Sequence, residues 1–427
     1  MGKLKVLLII EQCNPEWPSV PLVGYSFYKH ISMLVDTTLV THERNRIALE
    51  KAHPERDIVY IPESKFITKY YNFAEKLSKI KGKIIWPLYN ALTYPIYAEF
   101  NHKVYAKFKT LILNGQYDIV HALTPILPRY PVKAIKACKE TPFILGPVNG
   151  GVPFPKGFQT VARQEFSYFN FLRLIGRYII PGYRETYEKA DYILSGSTYT
   201  MDLIKNLFDI EDKKIELFYE NGIDDSFIKD ETKVIKTDET NNTTINLLFV
   251  GRLVPYKGAD ILIEALSELE QSIQDKIKLT IVGDGPERNA LQNQVNKMRL
   301  DQKVHFTGWV EQQKTVSYYR ECDLFCFPSV REFGGAVVLE AMANGLPCIV
   351  INNGGIAEYV TEETGFKIDP ISRDVVVKEL KRCISNLVQN HALRYDMSIK
   401  AIKRAKDFSW SAKADAIKNI YDILLEH

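Results

Sequence analysis

Short apolar runs alternate with longer amphipathic stretches along the whole chain. The run at 5–10, KVLLII, is continuously apolar apart from its first residue, the pattern of a strand buried on both faces. Similar runs at 38–41, 58–61, 118–121, 143–146 and 192–195 predict further strands in the first half. Those at 245–250, 278–282, 304–306, 324–327, 348–351 and 365–368 predict a second set. Helical periodicity fills the intervals, so the expected architecture is α/β, built from βαβ units with parallel sheets. Between the two sets lies a polar stretch, KDETKVIKTDETNNTT, within 221–242 and just beyond. Its lack of large apolar groups marks a surface connection. The last segment, 408–427, carries Trp410, Ala414, Ile417, Ile420 and Leu424 at helical spacing, and could pack on either half.

A chain of 427 residues is too long for one ordinary core, which agrees with two domains. With 46% hydrophobic and 25% charged residues it is globular in composition, and a net charge of +3 gives no case for nucleic acid as a partner. The six cysteines include Cys322 and Cys326 in ECDLFCF, but no pair has zinc spacing. They read as reduced thiols of a cytoplasmic protein. The apolar run at the start is too short for a secretory core, and no stretch is long and clean enough to span a bilayer. One region stands out: 65–112 holds nine Lys against two Glu, with eleven aromatics interleaved. It fits either ordinary surface helices or a basic, aromatic face for an anionic membrane or a lipid-linked substrate.

The densest candidate chemistry is PSVREFGGAVVLEAMANGLP at 328–347. A strand ends, a loop with Gly334 and Gly335 follows, and a helix is predicted from about Ala336. Glu332 and Glu340 stand eight residues apart, roughly 12 Å if helical throughout. That is too far for a glycosidase pair. It suits a ligand with hydroxyls at both ends and an anion between them, the anion resting on a glycine-led helix N-terminus. In FVGRLVPYKGADIL at 249–262, a strand ends at Gly251 and the loop presents Arg252 and Lys257. Two cations there could neutralise a diphosphate, or simply be solvated on a surface loop. In IVGDGPERNAL at 281–291, Gly283 belongs to a tight strand-to-helix turn, a weak signal by itself. No Asp-x-Asp motif is present, so no metal is demanded and none is expected as cofactor.

GRLVPYKG, IVGDGPER, HFTGWV, the 328–347 block and NNGGIAEYV, in that order, resemble the C-terminal half of glycosyltransferase family 4, retaining enzymes with a Glu-x7-Glu motif. The resemblance implies the glycosyltransferase-B fold: two Rossmann-like parallel-sheet domains facing across a cleft. The expected division is an acceptor-binding domain at 1–222, with 408–427 packing back on it, and a nucleotide-sugar domain at 223–407. It implies that Arg252 and Lys257 hold the diphosphate, with Gly251 and Gly283 beside it. It implies that Glu340 binds the ribose, and that Glu332 with the backbone of Phe333, Gly334 and Gly335 binds the sugar. Trp309 and Val310 would meet the base. In the first half, Gly24 would let backbone approach the phosphates. His121, ending a strand in YDIVHALTP, is either an active-site residue or a structural strand-end histidine; the family's second histidine is Leu123 here. Asn149, Gly150 and Gly151 form a candidate cleft loop for acceptor or donor. The expected activity is hexose transfer, with retention, from a UDP- or GDP-linked sugar to a glycan or lipid-linked acceptor of the cell envelope. A peripheral contact at the inner membrane face through 65–112 goes with it. The alternative is a non-catalytic assembly subunit that keeps a nucleotide-sugar site.

Overall fold

The computed structural model describes residues 3–56, 58–80, 83–124, 126, 130–233 and 244–426. The middle of the predicted linker, 234–243, lies outside them.

By internal contacts the chain forms two compact units: Met1–Gly151 with Phe166–Glu220 and Trp410–His427, and Val152–Glu165 with Asn221–Ser409. The first contains a seven-stranded sheet of β1 (Lys5–Ile9), β2 (Asp36–His42), β3 (Val59–Ile61), β4 (Ile119–Ala122), β5 (Phe143–Val148), β6 (Tyr192–Ser195) and β7 (Ile215–Leu217). Its order is β3-β2-β1-β4-β5-β6-β7, all parallel. The alternation of side chains along β1 explains why the run had to be apolar throughout. Leu7 and Ile9 join the core under helix Tyr94–Leu113, through Phe100, Val104 and Phe108. Val6 and Leu8 join the opposite core, under helices Val20–Leu34 and Trp410–Glu426, through Phe27, Ile31, Trp410 and Ile417. The final helix is thus part of the first unit.

The second unit holds six parallel strands: β8 (Ile245–Val250), β9 (Ile277–Val282), β10 (Val304–Gly308), β11 (Leu324–Phe327), β12 (Cys348–Ile351) and β13 (Gly365–Ile368). Their order is β10-β9-β8-β11-β12-β13. Numbered within the unit this is 3-2-1-4-5-6, the doubly wound order whose direction reverses between the first and fourth strands.

All twelve predicted strands are present. β7 and a small hairpin, Lys79–Ile80 with Lys83–Ile84, were not predicted. The division differs from the expected 1–222 and 223–407 in one stretch: 152–165 groups with the second unit. The cause is local bonding. Arg331 Nε donates to the Val152 carbonyl at 2.8 Å, and Asn353 Nδ2 donates to the Pro153 carbonyl at 3.3 Å. Gly157 lies so close to Ile371 that an added Cβ would sit 2.0 Å from its carbonyl oxygen.

Candidate functional site

In a doubly wound sheet the crevice for a ligand opens at the carboxyl ends of the strands where the order reverses. In the second unit that place lies between β8 and β11. The loops there are Gly251–Gly258 and 328–335, the two segments singled out from the sequence. Close backbone approach draws them together. Gly283 accepts no side chain, because a Cβ would lie 2.0 Å from the Gly251 carbonyl oxygen. The turn Pro255–Lys257 is stapled to the loop after β11: Val330 N donates to the Tyr256 carbonyl at 2.9 Å, and Ser329 Oγ donates to the same oxygen at 3.3 Å.

This staple fixes Lys257. Its ammonium forms an ion pair with the Glu332 carboxylate, and both side chains are largely shielded from water. Lys257 Nζ also lies 4.9 Å from the centre of the Phe327 ring, and Ser329 Oγ reaches Glu332 Oε2 at 3.4 Å. Arg252, on the same loop, is exposed. Hence one cation is committed to a carboxylate and the other faces solvent.

Glu332 precedes helix Ala336–Ala343 by four residues, so the helical rise applies only to the second half of its spacing to Glu340. Gly335 starts the helix with φ +62°, a left-handed conformation suited to glycine, and no side chain caps the helix. Val338 N donates to the Gly335 carbonyl at 3.0 Å, which leaves the N–H groups of Ala336 and Val337 at the loop. The NNGG segment buttresses the loop from behind: Gly355 N donates to the Phe333 carbonyl at 3.1 Å, and Asn353 Nδ2 to the Val330 carbonyl at 2.7 Å.

Glu340 is buried. Its Oε1 accepts from Gln312 Nε2 at 2.9 Å and its Oε2 from Tyr319 Oη at 2.8 Å. Burial raises its pKa, and these two donors partly offset the effect. Gln312 and Tyr319 were missed in the sequence. They stand seven residues apart on helix Gln312–Glu321, which puts both on one face, and that spacing was the available signal. Arg331 was missed as well. Besides holding Val152, its guanidinium lies 4.8 Å from the Phe154 ring and 5.0 Å from the Phe333 ring. Trp309 follows β10 and is 76% exposed; Val310 is half-buried beside it. Gly251, Arg252, Lys257, Gly283, Glu332, Phe333, Gly334 and Gly335 thus gather around the carboxyl ends of β8, β9 and β11. Glu340 lies one helical turn further, and Trp309 and Val310 lie on the loop leading to its donors.

Three candidates of the first unit are engaged by other groups of the protein itself. His121 is fully buried on β4 and both ring nitrogens are engaged. Nε2 lies 2.7 Å from the Gly146 carbonyl, which can only accept, so this nitrogen carries the proton. Nδ1 then accepts from Tyr421 Oη, also at 2.7 Å. Burial pushes the His121 pKa down to about 4, so the ring is neutral and pins the final helix to the sheet. Gly24 lies inside helix Val20–Leu34, where a Cβ would come 2.3 Å from the Gln12 carbonyl oxygen; its role is helix packing. Asn149 is buried, with Oδ1 accepting from Ser197 Oγ and Thr200 Oγ1 at 3.0 Å each, and Gly150 N donates to Thr200 Oγ1 at 3.0 Å. The 149–151 loop is therefore tied to the start of helix Thr198–Phe208, and the Asn149 side chain is not offered to a ligand. A carboxyl that was not singled out lies at the end of β1: burial pushes Glu11 up to about 7.

A family model described as glycosyl transferases group 1 matches residues 230–404, nearly the whole of the second unit. A D-inositol 3-phosphate glycosyltransferase of Corynebacterium efficiens is 31% identical over 179 residues, 40% of this chain and 41% of that relative. An uncharacterised glycosyltransferase of Methanocaldococcus jannaschii is 28% identical over 280 residues, 65% of this chain and 68% of the relative. Among solved structures, the lipopolysaccharide outer core galactosyltransferase WaaB aligns with TM-score 0.64 at 18% identity, over 97% of this chain and 98% of that one. HepE of Anabaena in complex with UDP aligns with TM-score 0.62 at 16% identity, over 98% of this chain and 100% of that one. No helix among the described residues is long and apolar enough to cross a membrane. The chain has the glycosyltransferase-B fold, two Rossmann-like parallel-sheet units, and its residues 230–404 are similar to the group 1 glycosyltransferases.

Proposed function

We propose that the protein is a retaining glycosyltransferase of family 4. It would move a hexose from a UDP- or GDP-linked sugar to a hydroxyl of a cell-envelope, polysaccharide or lipid-linked glycan. The observation that carries this reading is the Lys257–Glu332 pair at the strand reversal, beside exposed Arg252 and an uncapped helix N-terminus. That arrangement offers two cations and free N–H groups to a diphosphate, and a carboxylate to the hydroxyls of the group attached to it. A related structure, HepE of Anabaena, holds UDP-glucose, which supports a nucleotide-sugar donor.

In this mechanism Arg252 and Lys257 stabilise charge as it builds on the leaving diphosphate, where fixed cations contribute more than they do in the ground state. Glu332 accepts hydroxyls of the transferred sugar, and the Phe333–Gly335 backbone lines the same subsite. Gln312 and Tyr319 fix the Glu340 carboxylate, whose remaining lone pairs accept the ribose hydroxyls. Trp309 and Val310 flank the base. No nucleophile from the protein is invoked: attack comes from the face the diphosphate leaves, and the leaving phosphate takes the acceptor proton. The cations stand in for a divalent metal, so the reaction runs without one. The protein would work in the cytoplasm, at the inner membrane face when the acceptor is lipid-linked.

The test is a binding screen of nucleoside diphosphates, followed by transfer assays with the matching sugars and assignment of the product's anomeric centre. Retention, with turnover unaffected by chelator, is expected. An inverted product or strict metal dependence would sink the mechanism, and absence of any nucleotide binding would sink the function.

A further inference from the structure

We infer that the first unit carries a docking face for an anionic lipid bilayer, formed by three neighbouring helices of which the sequence pointed to only two. Helix Lys65–Leu77 exposes Phe66, Phe73 and Leu77, spaced so that they share one face. Exposed Lys65, Lys69 and Lys76 accompany them. Helix Trp86–Leu92 touches it: Tyr70 Oη donates to the Leu92 carbonyl at 3.0 Å and Tyr89 Oη to Tyr71 Oη at 3.3 Å. Its Trp86 is half exposed. On its other contact lies helix Phe171–Ile179, more than 80 residues further along the chain. There Phe171, Ile175, Tyr178 and Ile179 occupy one face, and Tyr178 and Ile179 are 89% and 70% exposed.

A single exposed apolar residue needs no explanation, but two helices presenting apolar faces from one contiguous group do. Charge decides the occupant. Among the described side chains of segments 65–90 and 166–183, Lys65, Lys69, Lys76, Lys79 and Arg177 stand against one acid, Glu75. Glu75 is itself paired with Lys79 at 2.7 Å. Aromatic and aliphatic tips embedded among cations match the boundary between anionic headgroups and acyl chains, where both kinds of contact act at once. A protein partner of ordinary surface charge would leave these cations unmatched. The inference deepens the proposed function, resting on it for the lipid-linked acceptor, while the geometry of the face is independent of the donor site.

The experiment is co-sedimentation of the full chain with vesicles of phosphatidylcholine alone and of phosphatidylcholine with phosphatidylglycerol. Binding is expected only to the anionic vesicles, weakened by salt. The double change Tyr178→Asp with Ile179→Asp, and separately Lys65→Glu with Lys69→Glu and Lys76→Glu, should each lower binding at least about tenfold. Both sets lie on exposed positions, and nucleoside diphosphate binding should be unchanged in each. Failure of wild-type binding, or binding that neither set alters, overturns the inference. Self-association abolished by the same changes, without vesicle binding, overturns it in favour of a second copy. Vesicle binding without nucleotide binding would leave this face standing and remove the proposed function instead.

Discussion

Replacing Glu332 by Gln should tighten the binding of a bare nucleoside diphosphate, although it removes a residue of the proposed donor site. Lys257 and Glu332 have side chains only 14% and 15% exposed, so their attraction is weakly screened. Two unit charges in contact are worth about 4 kcal/mol at an effective dielectric of about 20. A diphosphate must draw the ammonium partly away from the carboxylate. If a quarter to a half of that attraction is given up, about 1–2 kcal/mol of binding energy is lost to the competition, a factor of roughly 5 to 30 in affinity. The Gln variant keeps the side chain's shape and removes the competing charge. It also leaves a shielded ammonium without its partner, so the unliganded variant should unfold at a lower temperature, and a diphosphate should restore more stability than in wild type.

Isothermal titration with UDP and GDP on both proteins measures this, with circular dichroism as the check of fold. Lys257→Met should do the opposite and weaken binding of either diphosphate. For the complete nucleotide sugar the gain in Glu332→Gln should shrink, because the lost carboxylate then also costs hydroxyl contacts, and transfer should fall by about a hundredfold or more. Diphosphate affinity that is unchanged or weaker in a folded Glu332→Gln protein would refute the reasoning, since the carboxylate would then not be competing for Lys257.

Further outcomes are expected elsewhere. Glu340→Gln should abolish discrimination between a nucleoside diphosphate and its 2′-deoxy analogue, measured by competition binding; preserved discrimination would place the ribose elsewhere. His121→Phe should lower stability by about 2–3 kcal/mol through loss of the Tyr421 and Gly146 bonds, yet leave turnover per folded molecule within about twofold. Wild-type stability owed to His121 should be complete above its ordinary pKa of 6.5 and be lost as pH falls towards about 4. Lys413 is buried against Phe218 and Phe27, and burial lowers its pKa from 10.5 to about 7. The unfolded chain therefore binds more protons between those values, so stability should rise with pH across that window, by at most about 5 kcal/mol. Lys413→Met should flatten the rise in thermal-denaturation curves, and parallel curves for the two proteins would exclude this account.

What could be read from the sequence follows how far apart the interacting residues lie. A buried parallel strand announces itself within a few residues, so β1 and β8 were plain. β7 is three residues at a sheet edge with Glu216 at its middle, and gave no such signal. The loops at 251–258 and 328–335 were legible because each contains both its strand end and its helix start. The Lys257–Glu332 pair was not, because its members are 75 residues apart and only the 3-2-1-4 order joins them. His121 was open to two readings because a strand-end histidine does not reveal what covers it, and here the cover is Tyr421, 300 residues later. Segment 152–165 was assigned by its position in the chain, while its place is decided by Arg331 and Asn353, about 180 and 200 residues further on.

The two sheets share the 3-2-1-4 order, yet their strand reversals differ chemically. In the second unit the reversal between β8 and β11 presents Arg252, Lys257 and helical N–H groups, a setting that favours an anion. In the first, the corresponding place lies between β1 and β4, where Glu11 N donates to Thr124 Oγ1 at 2.6 Å. The charge-bearing group there is the Glu11 carboxyl, held near 7 by burial even though Arg44 pulls it down. Such a carboxyl repels a phosphate when ionised and donates a hydrogen bond when protonated. One fold repeated along a chain therefore need not repeat its ligand. The backbone order fixes where a ligand can sit, and the few side chains at that edge fix the sign of charge it must carry.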